Sequence, residues 1–189
     1  MNKSTTKRLF KTILDGDAVA LAEIIHAHDD AIETLGEHNR NVRDKTPLMF
    51  ALQCSNFDIA NYLLDRGANA SAVMAGGPRF SVLCLCFKFA YCDEENYEKW
   101  HALSTRLLDN GADPTSGLWP ALHGFGGLVR RDDIVRLLLA RGANADEALG
   151  NTGSTIREMV EINRSRYTDE ILGLFDVPPL HTEPRAARL

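Results

Sequence analysis

One seven-residue phrase, written three times, constrains this chain more than anything else in it. It reads Leu63-Leu64-Asp65-Arg66-Gly67-Ala68-Asn69, then Leu107-Leu108-Asp109-Asn110-Gly111-Ala112-Asp113, then Leu138-Leu139-Ala140-Arg141-Gly142-Ala143-Asn144. Each copy closes an apolar run of helical spacing. Glycine, lacking a Cβ, takes the left-handed conformation just past a helix end without the usual steric cost. A short acid or amide two residues later suits the turn that follows. One copy would be an ordinary helix stop; three copies are a repeat.

The segment ahead of the first copy sets the register. Asp44-Lys45-Thr46-Pro47-Leu48-Met49-Phe50-Ala51 resembles the Thr-Pro-Leu-His-x-Ala opening of an ankyrin repeat, and Leu48 lies 19 positions before Gly67. Aligning the other copies puts the same leucine position at Leu83, Leu122 and Ile156, at intervals of 35, 39 and 34 residues. On these residues the chain resembles the ankyrin-repeat family. The likeness is clearest over 44–70 and 117–145. It implies an all-α solenoid of about five helix-turn-helix units with β-hairpin-like fingers.

The expected organisation is a single domain over 1–175. It comprises an N-terminal cap (5–36), repeats at 44–72, 78–115 and 117–147, a C-terminal cap (151–175), and a mobile tail over 176–189. A composition of 44% hydrophobic and 25% charged residues fits one such domain. No apolar run reaches the roughly 18 residues needed to cross a bilayer, and the first residues lack a secretory signal's apolar core. With four cysteines in no framework spacing, the expected setting is cytoplasmic and the thiols reduced.

Along the chain, residues 5–28 read as a helix pair broken at Asp15-Gly16-Asp17. Lys3, Lys7, Arg8 and Lys11 supply a polar outer face. Thr46 fits an N-cap and Pro47 the first helical position, with helices expected to about Cys54 and over Phe57–Asp65. In the third unit Leu83 to Gly111 is nine positions longer than in the second. The surplus falls around Ala90–Trp100, so both helices are expected to lengthen by roughly 7 Å. Asp93 is the expected N-cap there, and Asp93, Glu94, Glu95 and Glu98 give an acidic projection. Gly124, Gly126 and Gly127 point to a short or irregular inner helix in the fourth unit. The fifth unit is expected to pair a helix through Met159 and Ile162 with one over Thr168–Phe175, and to lack the closing phrase.

No catalytic constellation emerges: there is no nucleophile–base pairing and no phosphate-binding glycine loop. An alternative reading makes Cys84, Cys86 and Cys92, or the histidines, a metal or catalytic site. Cys84 and Cys86 lie two apart and so on different helix faces, which favours buried small hydrophobes. His26 and His28 fail to converge for the same reason. His123 stands where the family's histidine resembles a structural hydrogen-bonder between units. A net charge of −5 and a pI near 5.7 argue against nucleic acid.

The expected function is therefore non-catalytic binding of a protein partner through the concave face, with an inhibitor or neutralising partner as one version. No cofactor, metal, nucleic acid or membrane is expected, and the free chain is expected to be a monomer. Lys45, Phe50, Arg79, Phe80, Leu85, Lys88, Phe89 and Trp119 fall on inner-helix and finger positions. They would form an apolar patch edged by cations, the composition of a binding hot spot. Packing of the same side chains into the core of the irregular units is the alternative.

Overall fold

The computed structural model describes residues 1–76, 80–123, 132–148 and 153–178. Among these, the chain forms α1 (Lys3–Asp15), α2 (Ala18–Ala27), α3 (Pro47–Gln53), α4 (Phe57–Asp65) and α5 (Val82–Ala90). It continues with α6 (Tyr97–Asp109), α7 (Thr115–His123), α8 (Asp132–Ala140), α9 (Ile156–Ile162) and α10 (Asp169–Leu174). Successive helices pack as pairs, α1 on α2, α3 on α4, α5 on α6 and α7 on α8, while α1, α3, α5 and α7 pack in series. The fold is all-α. The expected fingers shrink to the isolated bridges Gly36–Arg43, Val73–Ser81 and Ala148–Thr155, with no strands among the described residues.

Local chemistry explains the helix ends. Asn2, Asp17, Thr46, Asn56, Ser81, Thr155 and Thr168 each accept a backbone N–H of the first turn of the helix that follows. Each such cap is worth about 1 kcal/mol. Thr155 and Glu158 complete a reciprocal capping box. The three phrases close alike: Gly67, Gly111 and Gly142 have φ of 86°, 88° and 87°. The amides of Ala68, Ala112 and Ala143 reach back to the carbonyls of Leu63, Leu107 and Leu138 at 2.9, 2.9 and 3.0 Å. Asn69, Asp113 and Asn144 accept the amides of Ser71, Thr115 and Asp146 at 2.9, 2.9 and 3.0 Å, the turn their short side chains favour.

The fifth pair also closes this way, against expectation. Asp176 takes φ 57° and the Val177 amide reaches the Leu172 carbonyl at 3.0 Å. Asp-Val stands in for Gly-Ala, a substitution that Asp tolerates better than most residues. Val177 is buried, so a tail beginning at 176 is corrected: the packed chain extends past Phe175, and residues 179–189 lie outside the described residues.

The third pair is lengthened unequally. α6 has 13 residues against 9 in α4, and α5 has 9 against 7 in α3. The remaining surplus makes a turn and the 3₁₀ segment Glu94–Asn96. Asp93 gives no side-chain cap to the backbone. Its carboxylate instead accepts the Trp100 indole N–H at 3.0 Å and the Asn96 amide at 2.8 Å. That bond satisfies the polar end of Trp100, which is otherwise fully buried and meets Phe57 edge-on at 4.8 Å. Glu94, Glu95 and Glu98 are exposed, so the projection is acidic as expected.

The register of the fourth pair is one helical turn away from the expected one. The Ser81 and Ser116 hydroxyls meet at 2.9 Å, which makes Ser116 the counterpart of the N-cap Ser81. The leucine position is then the fully buried Leu118, not Leu122, and Leu48, Leu83 and Leu118 recur every 35 residues. Gly117 is seated on the third pair: a Cβ there would lie 2.6 Å from Phe87 Cε2 and 2.9 Å from Leu83 Cδ2. α7 runs nine residues with Pro120 inside it, so it is not shortened, and the glycines of 124–127 lie outside the described residues. In α9 the same position, two past the N-cap, falls on Arg157 rather than Ile156.

Candidate functional site

Two consecutive connections carry the site. In the first, the Gly36 amide donates to the Lys45 carbonyl and the Asp44 amide to the Gly36 carbonyl, both at 3.0 Å. Only glycine fits at 36, since a Cβ would lie 2.2 Å from the Val42 carbonyl oxygen. In the second, Met74 donates to Phe80 at 2.9 Å and Val82 to Ala72 at 3.0 Å. The two stack where the Ala75 amide meets the Asp44 carbonyl at 3.4 Å and Gly76 sits against the Asp44 carboxylate. Lys45 and Phe80 thereby occupy corresponding positions, each just ahead of the N-cap of α3 or α5.

Lys88, in the last turn of α5, completes the group. Its ammonium lies 5.4 Å from the Phe80 ring centroid and 5.9 Å from that of Phe89, within cation–π range of both. Lys45 donates to the Asn41 carbonyl at 2.7 Å and is half-buried. Burial first, then the positive charge of Lys88, pulls the Lys45 ammonium below its ordinary pKa, with Asp44 opposing. Phe80 and Phe89 are half-buried and pack against the core.

Half of the expected patch is thus brought together and half is not. Phe50 is 4% exposed, edge-on to Phe10 at 5.4 Å, and Leu85 is 2% exposed; both are core residues and not part of an open patch. Both stand two positions past the leucine, and exposure fails there because short inner helices are buried along most of their girth. Trp119 is half-buried and packed on the core. With Leu118 as the leucine, the counterpart of Lys45 and Phe80 is Thr115, whose hydroxyl accepts the Asn144 amide at 2.9 Å. Arg79 lies outside the described residues, as does the side chain of His123.

A small pocket that the sequence reading missed lies where the lengthened third pair meets the fourth. It holds about 70 Å³ and is lined by Phe87, Ala90, Tyr91, Tyr97, Trp100 and His101 among others. The nine-residue surplus was its only signal in the sequence. The Tyr91 hydroxyl crosses beside it to the Ala121 carbonyl at 3.4 Å.

In the three central helix pairs charge is divided between the two ranks. α3, α5 and α7 contain no Asp or Glu and a single cation, Lys88. α4, α6 and α8 carry Asp58, Asp65, Glu98, Asp109, Asp132 and Asp133. Several of these acids are already engaged: Asp65 with Arg106, Asp109 with Arg141 at 2.6 Å, and Asp133 with the Tyr97 hydroxyl.

Burial sets Cys84 and Cys86 apart from the exposed Cys92. Burial raises the Cys84 thiol to about 11 and the Cys86 thiol further, while Cys54 is also raised and Cys92 is exposed. A protonated buried thiol is a poor nucleophile and ligand. Among the described residues no three His, Cys, Asp or Glu side chains gather as a metal site, and no helix is long and apolar enough to cross a membrane.

The family model described as Ankyrin repeat matches residues 43–74, the span of α3, α4 and their flanking turns. No curated protein sequence matches the chain.

Proposed function

We propose, from the ankyrin repeat at residues 43–74 as premise, that this chain binds a partner protein through the face made by Lys45, Phe80, Lys88 and Phe89. Ankyrin repeats generally mediate protein–protein interactions, and the family is generally non-catalytic. The three helix pairs after the match are read as degenerate units of the same solenoid, because they repeat its closing hydrogen bond at Ala112, Ala143 and Val177. A solenoid of this kind presents its inner rank and connections as one continuous binding surface.

The observation that carries the reading is the Lys88 ammonium held over two half-buried phenyl rings, on a stretch of the inner rank, α3, α5 and α7, whose helices carry no carboxylate. Aromatic anchors beside a cation are what interface hot spots are built from. An inhibitory or neutralising role, in which this face covers a functional surface of the partner, is the specific version we favour.

The test is affinity capture from the native organism with the wild-type chain, a Lys88→Glu/Phe89→Ala variant and an outer-face Asp58→Lys control. Each captured protein is then titrated in purified form. A partner retained by the control and lost by the inner-face variant is the expected result, with affinity reduced by about 100-fold or more. Equal capture of every partner by all three chains would refute the assignment of this face.

A further inference from the structure

Resting on that reading, we propose that the segment recognised by this face is an acidic peptide. Its carboxylates would pair with Lys45 and Lys88 and its apolar side chains would rest on Phe80 and Phe89. The argument starts from a contrast with the rest of the molecule. The chain has 26 acidic and 21 basic Lys and Arg residues, yet the central inner helices α3, α5 and α7 hold no acid, the inner-rank acids lying on α1 (Asp15) and α9 (Glu158 and Glu161) and Asp44 on the connection ahead of α3. Two arginines of the outer rank pair within the chain, Arg106 with Asp65 and Arg141 with Asp109. Among the described residues, neither Lys45 nor Lys88 forms a salt bridge.

The two lysines are also positioned. Lys45 is tethered to the Asn41 carbonyl at 2.7 Å, and Lys88 spans the rings of Phe80 and Phe89 at 5.4 and 5.9 Å. Lys88 holds its charge beside apolar rings, where a carboxylate pair is less screened than in open water. Two cations are too few to follow a nucleic-acid backbone, whose affinity rises with the number of phosphates neutralised. They suit a short segment with one or two carboxylates flanked by apolar residues.

A random twelve-residue peptide display library, screened on the full chain and on Lys45→Gln/Lys88→Gln, tests this directly. Recovered peptides are resynthesised with their Asp and Glu intact or changed to Asn and Gln, and titrated at two salt concentrations beside a twelve-residue oligouridylate. The expected outcome is enrichment of net-negative peptides carrying an apolar residue. Their affinity should fall about five-fold for each lysine removed and ~20-fold for both. Lys88→Arg should retain most of the affinity, separating charge from packing. Enrichment of neutral or basic peptides that still lose affinity on Phe89→Ala overturns the acidic partner while sparing the binding face. Acidic peptides that bind the double variant equally well, or an oligouridylate that outcompetes every peptide, also overturn it. Failure to enrich any class counts against both this inference and the face it rests on.

Discussion

Replacing Gly117 with alanine tests the stacking register of the fourth helix pair. Within a helix such a change ordinarily stabilises by about 1 kcal/mol, because alanine loses less backbone entropy on folding. Here the new Cβ would meet Phe87 Cε2 at 2.6 Å and Leu83 Cδ2 at 2.9 Å. Both neighbours are almost fully buried, at 4% and 0% exposure, so neither side chain can swing into solvent. Overpacking of this kind costs about 1–3 kcal/mol. The net expectation is a loss of up to about 2 kcal/mol, read from urea unfolding followed by far-UV circular dichroism. Gly173→Ala is the internal control: it is also helical, but nothing lies within 4 Å of its added Cβ. It should stabilise by about 0.5–1 kcal/mol. Phe87→Leu removes the closer obstacle, so the double variant Gly117→Ala/Phe87→Leu should lose less than the sum of its parts. Were Leu122 the stacking leucine, Gly117 would sit ahead of the helix, and alanine would change stability by no more than about 0.5 kcal/mol. A Gly117→Ala chain as stable as wild type, or more stable, refutes the Leu118 register.

Other outcomes follow from single observations. Gly67, Gly111 and Gly142 have open space where a Cβ would go, so alanine at each should cost a similar ~1 kcal/mol of purely torsional strain, with asparagine costing less in the same unfolding assay. Trp100→Ala should cost about 3–5 kcal/mol, whereas Trp100→Phe keeps most of the packing and should lose about 1 kcal/mol with the bond to Asp93. The Asp93 carboxyl is held below the usual range, first by Asn96 and then by Trp100. A depressed acid stabilises the fold fully above its unfolded pKa of roughly 3.9 and loses that contribution as pH falls through the folded value. The gap in urea midpoint between wild type and Asp93→Asn should therefore be flat above about pH 5 and shrink below ~pH 4; a gap unchanged into acid would contradict the contact. In a native thiol titration with an aromatic disulfide, Cys92 should react promptly, while Cys84 and Cys86 should wait for unfolding.

What the sequence disclosed was whatever local chemistry writes plainly. Thr46-Pro47 announced the start of α3, and the three Gly-Ala-Asn or Gly-Ala-Asp strings announced the turns that follow α4, α6 and α8, because glycine and a short amide or acid are required there. Where another residue fills the same conformation the signal disappears, as at Asp176, and the closure goes unread. The fourth pair was misplaced for a related reason. Trp119-Pro120-Ala121-Leu122-His123 imitates the Thr-Pro-Leu-His opening, whereas the true counterpart of Ser81 is Ser116, followed by a glycine that only packing explains. The patch was half legible. Lys88 meets Phe80 and Phe89, with Lys45 on the neighbouring connection, but burial of Phe50 and Leu85 depends on neighbouring helices that periodicity in one segment does not register.

The corrected register also explains how an enlarged third unit can sit in a regular stack. Leu48, Leu83 and Leu118 stay 35 residues apart because the longer α5–α6 hairpin is offset by a connection of only five residues, Asn110–Pro114, before α7. The connections entering α3 and α5 are each three or more times that length and form the stacked turns that present Lys45 and Phe80. The one entering α7 is too short to do the same, and Thr115 at the matching position is already helical and occupied with Asn144. The stacked connections therefore stop at Phe80, beside the point where Lys88 and Phe89 end α5. Deviation from the repeat and the proposed binding group thus coincide in space, and both arise from the same redistribution of residues between hairpin and linker. Restoring a connection of ordinary length between α6 and α7 would be expected to extend the stacked turns past Phe80, and to weaken binding at Lys88 and Phe89 without altering the helices that carry them.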